Sequence, residues 1–348
     1  MFKKRDVLVL LLLSLASLIM VNVRGNMGRR TDRSTATKGD TTNQPTTPED
    51  PILIKRRVFD QMKANFRIVY LIVPAEEDNL VLSLQLLCQN FLAKNHPYPV
   101  IFFHDPKYTP DRLQGLQNKI QEKVAKTCPM LKTVFQEVEW KLPATYDQTK
   151  DPPKVWLQDF PGYHLMIRFW FKQVFSLPIL ADSRYYLRLD TDSFIQSPLE
   201  EDPFWTMYEN GYTYAWRAID VEKAFVTVGM AEFMTKYNAS HVTNSVTNGL
   251  ELPQREHWDY YEPPMMYNNF EIVDLQRFRA KDMLDFVAAV DATNYILTRR
   301  WGDAPLRYFQ AMMILDWKRE VWNIKSFDYL HGHHNKFMAK GSNVIEKR

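Results

Sequence analysis

The stretch Tyr185-Tyr186-Leu187-Arg188-Leu189-Asp190-Thr191-Asp192-Ser193-Phe194-Ile195 decides the fold class of this chain. Its first five residues are mostly aromatic and aliphatic, which is typical of a strand that packs on both faces inside a sheet. Two carboxylates, Asp190 and Asp192, follow at the end of that strand. Open α/β sheets hold their ligands at this edge, and paired carboxylates suit Mg²⁺ or Mn²⁺ bound to nucleotide phosphates. Taken alone, the same two residues would also fit a solvated surface turn.

Strands and helices alternate before this stretch. Strands are predicted at 66–73, 100–105 and 133–138, and helices at 79–92, 109–127 and 163–175. This alternation predicts a parallel sheet joined by right-handed crossovers. We therefore expect an α/β fold, with a Rossmann-type sheet flanked by helices and a metal edge that follows three earlier strands.

The pattern continues less regularly after the paired carboxylates. Helices are predicted at 199–211 and 224–237, and strands around 216 and at 269–275. In the last of these strands, alternation places Glu271 on the face opposite to Phe270 and Ile272. An acidic residue between two apolar neighbours at a strand start is a candidate for the active site.

Two segments of this half are predicted to be loops. Asn238 begins the sequon Asn-Ala-Ser, which predicts an exposed loop open to N-glycosylation. The segment 256–269 is crowded with aromatic residues, namely Trp258, Tyr260, Tyr261 and Tyr267. These side chains form either a stacking platform for a ligand or a hydrophobic lid that packs on the core.

The N-terminal part differs in character from the rest of the chain. Residues 1–6 are basic, residues 7–23 carry no charge, and residues 24–52 are polar and contain no aromatic side chain. We predict a cytosolic tail, a transmembrane signal anchor and a disordered stem, followed by a luminal catalytic domain at 53–348. A cleaved signal peptide is the alternative, but the apolar run is long for one.

Charge and cysteine content narrow the function classes. The formal net charge is +3 and the basic residues are scattered, so we expect no nucleic-acid partner. Cys88 and Cys128 are the two cysteines, and they either pair in an oxidising lumen or stay as buried thiols. Without a second pair or a suitable His spacing, they do not predict a zinc site.

Four stretches of the folded part resemble one known family. They are Tyr163-His164-Leu165-Met166-Ile167-Arg168-Phe169, Asn269-Phe270-Glu271-Ile272, Arg300-Trp301-Gly302-Asp303-Ala304-Pro305 and Tyr329-Leu330-His331. In this order they resemble motifs of the fungal-type Golgi α-1,2-mannosyltransferases of glycosyltransferase family 15. The resemblance covers residues 64–334 and implies a GT-A-like fold, with a mixed sheet in a single large catalytic domain.

The metal strand departs from the family pattern. Where the family has Glu-Pro after Tyr-x-Arg-Val, this chain has Asp190-Thr191-Asp192 after Tyr186-Leu187-Arg188-Leu189. A carboxylate remains at the first position, one methylene shorter, and Thr191 removes the restraint that proline places on the preceding residue. The ligand set is therefore expected to shift toward the ordinary Asp-x-Asp arrangement.

The resemblance also implies roles for individual residues. Asp190, Asp192 and His331 are expected to bind Mn²⁺, with His333 and His334 as alternative nitrogen ligands. Three residues are expected to be catalytic: Glu271 beneath the anomeric carbon, Asp303 as a base or as a ligand of sugar hydroxyls, and Tyr163 through its hydroxyl. Substrate-binding roles are expected of Arg168, Asn269, Trp301 and Tyr267. Arg168 can alternatively pair with a carboxylate, and Tyr163 can be a core residue.

The expected activity follows from this resemblance. It is metal-dependent, retaining transfer of mannose from GDP-mannose to a mannose-containing glycan on protein or lipid. The expected location is the Golgi membrane, in a single-pass type II topology. One alternative is a related transferase that uses a UDP-hexose, and another is a catalytically silent, membrane-anchored glycan-binding protein.

Overall fold

The computed structural model describes residues 49–155, 157–241 and 261–332. The strands in these ranges are β1 (Arg67–Leu71), β2 (Val100–His104), β3 (Thr133–Glu137), β4 (Tyr185–Leu189), β5 (Ser193–Ile195), β6 (Tyr214–Trp216), β7 (Ile219–Val221), β8 (Pro264–Met266), β9 (Phe270–Asp274), β10 (Val321–Asn323) and β11 (Tyr329–His331). The α-helices are α1 (Pro51–Met62), α2 (Glu77–Leu87), α3 (Pro110–Ile120), α4 (Gly162–Phe171), α5 (Pro203–Asn210), α6 (Met230–His241), α7 (Leu275–Phe278), α8 (Lys281–Asp291), α9 (Tyr295–Arg299), α10 (Asp303–Ile314) and α11 (Trp317–Glu320).

Seven strands form one mixed sheet in the order β10-β6-β9-β4-β1-β2-β3. The predicted parallel opening is confirmed, because β1 pairs in parallel with both β2 and β4, and β2 pairs in parallel with β3. β9 lies between β4 and β6 and is antiparallel to both. Two-stranded ribbons, β5 with β11 and β7 with β8, stand beside the sheet. The predicted α/β fold class is confirmed.

The period-two alternation of β4 decides which side chains reach each face of the sheet. Tyr185, Leu187 and Leu189 face the core that is completed by α2 and α3. Tyr186 faces the second core, which contains Trp170 of α4 and side chains of α8 and α10. Arg188 follows Tyr186 by two residues and therefore shares this second face.

The two cysteines form a disulfide, which settles the alternative left open by the sequence. Cys88 follows α2 and Cys128 follows α3, and their Cα atoms are 5.9 Å apart. Both side chains belong to the core beneath β1 and β2. The bond therefore ties together the two helices that cover this face of the sheet.

Several predicted element boundaries differ from the structure. The predicted helix over 163–175 ends at Phe171 and continues as a short 3₁₀ turn, Gln173–Ser176. The helix predicted from residue 199 begins at Pro203, because the Asp202 side chain caps it by accepting the backbone N–H of Phe204. The end of the first helix and the start of the second depend on local backbone geometry. Side-chain periodicity therefore predicts these boundaries only approximately.

The loop predicted at Asn238 is wrong. Asn238 lies half-buried within α6, which runs on to His241. Met230, Met234 and Tyr237 of this helix pack inward at i, i+4 and i+7, so the apolar face continues up to the sequon.

No helix within the described ranges is long and apolar enough to cross a bilayer. The predicted anchor at 7–23 lies outside those ranges, as does the predicted stem up to residue 48. The described chain begins at Glu49, and α1 starts two residues later with Asp50 as its N-cap.

Candidate active site

Asp190 and Asp192 occupy the short turn between β4 and β5. The Asp190 backbone N–H donates to the carbonyl of Asn269 at 3.1 Å, and the Ser193 N–H donates to the carbonyl of Asp190 at 3.0 Å. β5 pairs with β11 in a register that sets His331 opposite Ser193. His331 Nε2 thereby lies 3.0 Å from Asp192 Oδ1 and 4.0 Å from Asp190 Oδ2. The three predicted metal-site residues are brought together, and all three remain partly exposed.

The chemistry of these donors fits a divalent cation. Two carboxylates and one imidazole make an oxygen-and-nitrogen set of the kind that Mn²⁺ accepts. Burial lowers the pKa of His331, but the hydrogen bond and charge of Asp192 and the charge of Asp190 outweigh burial, so the pKa is raised overall. The edge therefore favours positive charge at the imidazole. Within the described part of the chain the donors form no ready three-ligand cage, and His333 and His334 lie outside it.

Arg188 joins this edge to the interior, and sequence reasoning missed it. Its side chain is 2% exposed. Nε donates to Asp190 Oδ1 at 3.0 Å and Nη1 donates to Asp303 Oδ2 at 2.7 Å. Nη1 also lies 3.9 Å from Glu271 Oε1. Three carboxylates, which lie far apart in the sequence or in different elements, thus surround one guanidinium. The other residues of β4 are apolar or aromatic core residues.

Asp303 is the first residue of α10, and the fold holds its carboxylate in place. Besides the bond from Arg188, Oδ2 accepts from Asn268 Nδ2 at 2.9 Å. Asn268 is a second residue that the sequence did not single out, although it directly precedes the Asn-Phe-Glu-Ile motif. Because α10 starts here, the positive end of its dipole also stabilises the negative charge. Two hydrogen bonds therefore hold the Asp303 carboxylate in place, and Arg188 connects it to Asp190.

Glu271 is fully buried in β9. The predicted orientation is confirmed, since Phe270 and Ile272 pack on the opposite face. Its carboxylate accepts hydroxyl hydrogen bonds from Tyr186 at 3.1 Å and Tyr214 at 3.0 Å. Burial raises the pKa of Glu271, and the neighbouring arginines counter this only in part. The structure places this carboxylate behind Arg188 with no exposed surface, so its contact with a sugar stays a prediction.

Tyr163 belongs to a second polar group on the other side of Asp303. Its hydroxyl accepts a hydrogen bond from Arg300 Nη2 at 2.9 Å, and Arg300 Nη1 donates to Glu222 Oε2 at 2.9 Å. Burial raises the pKa of Tyr163, while the charge of Arg300 opposes the rise. The backbone at Gly302 approaches its neighbours closely: a Cβ there would lie 3.0 Å from Glu222 Oε2 and 3.2 Å from the Pro305 ring, so these groups would have to shift. Two residues of the Arg-Trp-Gly-Asp motif, Arg300 and Gly302, thus lie close to the Glu222 carboxylate.

The structure corrects the substrate-binding roles predicted for Arg168 and Trp301. Arg168 makes a two-armed ion pair with Asp291, with Nε–Oδ1 of 2.7 Å and Nη2–Oδ2 of 3.2 Å, so it pairs with a carboxylate instead of a phosphate. Trp301 is fully buried in the core and its indole N–H donates to the carbonyl of Val228 at 3.0 Å. Both residues therefore make structural contacts within the chain.

Asn269 and Tyr267 contact the residues around the metal edge, the group formed by Asp190, Asp192 and His331. Asn269 Oδ1 accepts the Tyr329 hydroxyl at 2.7 Å, and its carbonyl accepts the Ser193 hydroxyl at 3.0 Å. The Tyr267 ring meets the His331 ring edge-on, with centroids 5.0 Å apart. Asn269 is 2% exposed, so it positions other residues and is not placed to contact a ligand.

The aromatic segment before β9 is described only in part. Trp258 and Tyr260 lie outside the described ranges. The Tyr261 ring packs on Phe309 of α10, with centroids 6.3 Å apart, and its carbonyl accepts the Thr227 hydroxyl at 2.7 Å. For Tyr261 this geometry favours packing on the core.

A seven-stranded mixed sheet with acidic residues at its carboxyl edge is the architecture expected of the GT-A-like class of glycosyltransferases. A family model described as glycolipid 2-alpha-mannosyltransferase matches residues 22–344. The chain belongs to this family, and the resemblance inferred from the four motifs is confirmed. The match includes each of the residues that meet at the carboxylate edge.

Individual relatives agree with this assignment. The chain is 21% identical over 316 residues to the Schizosaccharomyces pombe protein named O-glycoside alpha-1,2-mannosyltransferase homolog 5, covering 78% of this chain and 70% of that protein. It is 23% identical over 287 residues to the Saccharomyces cerevisiae protein named "Probable mannosyltransferase KTR4", covering 77% of this chain and 60% of that protein.

A solved structure shares the fold. The crystal structure of core-mannan synthase A (CmsA/Ktr4) from Aspergillus fumigatus, in its Mn/GDP form, superposes with a TM-score of 0.64 at 19% identity. The match covers 86% of this chain and 82% of that chain. At this level of identity the likeness establishes the architecture.

Proposed function

We propose that this protein is a metal-dependent, retaining α-1,2-mannosyltransferase that uses GDP-mannose as donor and a mannose-containing glycan as acceptor. The observation that carries the proposal is the meeting of Asp190, Asp192 and His331 at a sheet edge that also holds Asp303. Membership of a mannosyltransferase family and a structural relative in a Mn/GDP form support the donor and the metal.

Asp190, Asp192 and His331 are the residues that would hold Mn²⁺. When bound, the ion neutralises the charge of the donor's diphosphate. Each carboxylate contributes negative charge to this edge, and His331 contributes a nitrogen donor held against Asp192. The ring of Tyr267 packs against His331, so the imidazole has little freedom to rotate away.

Asp303 and Tyr163 offer polar groups next to this edge. In the proposed reaction the bond between the sugar's anomeric carbon and the diphosphate oxygen breaks. A bond from the same carbon to the acceptor oxygen forms on the same face, and the acceptor hydroxyl passes its proton to the departing diphosphate oxygen. Asp303, oriented by Arg188 and Asn268, is placed to accept a hydrogen bond from a sugar hydroxyl. Developing positive charge on the sugar is stabilised by the carboxylates of this cluster.

The activity is tested with a panel of nucleotide sugars and a mannose acceptor, in the presence of Mn²⁺ or a chelator. We expect transfer from GDP-mannose that chelator abolishes, and a product that an α-1,2-specific mannosidase cleaves. The double variant Asp190→Ala/Asp192→Ala removes the charge that holds the cation and is expected to be inactive. Asp285→Ala is the matched control, because Asp285 lies in an exposed pair with Lys281.

Three outcomes would contradict the proposal. Full activity of the Asp190→Ala/Asp192→Ala variant would exclude this metal site. Transfer from a UDP-hexose in preference to GDP-mannose would reassign the donor. Glycan binding without transfer from any donor would identify a silent glycan-binding protein.

We also propose a Golgi location with the catalytic domain in the lumen, anchored by residues 7–23. The charge-free run after a basic N-terminus supports this topology. Glycosidase treatment of the expressed protein is expected to increase its electrophoretic mobility, and Asn238→Gln is expected to abolish that shift. Digestion of the domain by protease added to the cytosolic side of sealed membranes would refute the topology.

A further inference from the structure

Arg188 links the metal edge to Asp303 through two separate arms of one guanidinium. Nε binds Asp190 Oδ1 at 3.0 Å, and Nη1 binds Asp303 Oδ2 at 2.7 Å. The planar guanidinium is held from its face by Trp170, whose ring centroid lies 4.2 Å from Cζ. Because the side chain is 2% exposed and stacked, its position is set by packing on three sides.

The two oxygens of Asp190 therefore have different surroundings. Oδ1 is taken by the Arg188 Nε–H, whereas Oδ2 faces His331 Nε2 at 4.0 Å. A buried guanidinium hydrogen-bonded to one carboxylate oxygen competes with a cation for that oxygen and so favours ligation through the other one. Mn²⁺ and Mg²⁺ accept such single-oxygen ligation, while Ca²⁺ takes more oxygen ligands and often binds carboxylates through both oxygens.

We propose that Arg188 is the positioning residue of the metal edge: it restricts Asp190 to ligation through Oδ2 and thereby sets the preference of the site for Mn²⁺ over Ca²⁺. This inference rests on the proposed metal-dependent function and deepens it.

A purely structural role for Arg188 predicts something different. An arginine that only neutralises buried carboxylates would affect unfolding when replaced, but it would leave the ratio of metal affinities unchanged. The ratio of the Kd values for Ca²⁺ and Mn²⁺ is therefore the informative readout. Arg188→Lys keeps the positive charge, but an ammonium group on a flexible chain does not reproduce the two-armed fork.

The test uses the full chain and the metal ions alone, without nucleotide or sugar. Free Mn²⁺ is followed by its electron paramagnetic resonance signal, and Ca²⁺ is measured by competition. We expect wild-type protein to prefer Mn²⁺, and Arg188→Lys to reduce that preference roughly 10- to 100-fold, as losses of groups that orient metal ligands typically do. Arg168→Lys is the matched control, because Arg168 makes a comparable two-armed ion pair with Asp291. It is expected to retain the wild-type ratio.

A second variant covers the case in which Arg188→Lys does not fold. Arg188→Met/Asp303→Asn removes the cation together with one carboxylate, so the net charge of the cluster is unchanged and the buried volume stays similar. It also frees Oδ1 of Asp190, and the same loss of preference is expected. A wild-type ratio in either folded variant overturns the role of Arg188 while leaving the metal site intact. A wild-type protein that binds neither ion overturns the metal site, and this proposal with it.

Discussion

The Tyr329 hydroxyl donates a hydrogen bond to Asn269 Oδ1 at 2.7 Å, and this contact joins β11 to the residue before β9. The same hydroxyl lies 2.8 Å from the hydroxyl of Ser193, the first residue of β5. His331 follows Tyr329 by two residues on the same strand. One phenol group therefore fixes the strand that carries the imidazole relative to the carboxylates it faces.

Tyr329→Phe is expected to lower both stability and metal affinity. The change leaves Asn269 Oδ1 buried without its donor, which costs about 1–2 kcal/mol of unfolding free energy. We also expect Mn²⁺ binding to weaken, because β11 loses a contact that orients His331. Tyr146→Phe is the control, since the Tyr146 hydroxyl donates to the Asp151 carbonyl away from this edge. Urea unfolding and Mn²⁺ titration measure the two effects, and unchanged Mn²⁺ affinity in Tyr329→Phe would refute the second.

Glu271→Gln is expected to slow chemistry without weakening donor binding. The three carboxylates Asp190, Glu271 and Asp303 face the guanidiniums of Arg188 and Arg307, so three negative charges oppose two positive ones. The substitution removes the net negative charge that would stabilise a positively charged sugar. We expect kcat to fall roughly a hundredfold, on the order of 3 kcal/mol of barrier, with little change in KM for GDP-mannose.

The control variant for Glu271→Gln is a substitution in the same strand, β9. Asp274 is also buried, but it pairs with Arg184 at 3.1 Å on the far end of β9. Asp274→Asn is therefore expected to alter the melting temperature and not kcat. Normal turnover by a folded Glu271→Gln protein would transfer the catalytic role to Asp303, and failure to fold would make Glu271 structural.

Removing the Cys88–Cys128 disulfide is expected to destabilise the fold without altering the site. The cysteines are 40 positions apart, and a cross-link of that span stabilises by about 4 kcal/mol through the entropy of the unfolded chain. Cys88→Ala/Cys128→Ala is expected to lower the urea midpoint and to keep wild-type Mn²⁺ affinity. The wild-type protein measured with reductant should match the variant. Equal midpoints with and without reductant would show that the bond contributes nothing.

The Asp291 cluster predicts a defined pH dependence of stability. Burial raises the pKa of Asp291, but hydrogen bonds from Arg168 and Lys172 outweigh it, so the pKa is lowered overall. The pKa of Asp291 is lower in the folded state than in the unfolded state. The ion pair therefore stabilises the fold fully at pH values above the unfolded-state pKa, and this stabilisation is lost as the pH falls through the folded-state pKa. We expect Asp291→Asn to cost roughly 2 kcal/mol at pH 7, a difference that shrinks below about pH 4.

Asp285→Asn is the control for this pH series. Asp285 pairs with Lys281 on the exposed side of the same helix, where side chains are 50% and 88% exposed. Exposed pairs contribute little, so its stability is expected to follow that of wild type at every pH. A constant difference between wild type and Asp291→Asn down to acidic pH would contradict the prediction.

The sequence was most informative where one local pattern carried the signal. The apolar run of β4, the paired carboxylates after it and the alternation around Glu271 all follow from side-chain periodicity. The insertion of β9 between β4 and β6 does not, because antiparallel pairing between strands far apart in the chain leaves no local pattern. Fold class was therefore predictable, while the sheet order beyond β4 was not.

The same limit applies to individual site residues. Arg188 was passed over because a single charged residue in an apolar strand gives no sign of its partners, which lie far along the chain. Trp301 and Arg168 were assigned to substrate binding because a family motif marks residues needed for packing as well as those needed for chemistry. Burial alone does not separate the two groups, because Glu271 and Trp301 are both fully buried. What distinguishes them is the set of side-chain partners, which depends on tertiary contacts that a motif does not encode.

The position of β4 in the sheet has a consequence for synthesis of the chain. One neighbour, β1, is made before β4, whereas Asp303 follows Arg188 by 115 residues. At roughly 5–20 residues per second, a ribosome needs about 6–20 s to make that partner. Until β9 is made, one edge of β4 is unpaired and Arg188 has no carboxylate from β9 or α10, a state that invites mispairing and chaperone binding. Chains that terminate before β9 are therefore expected to be degraded instead of accumulating as a stable N-terminal half.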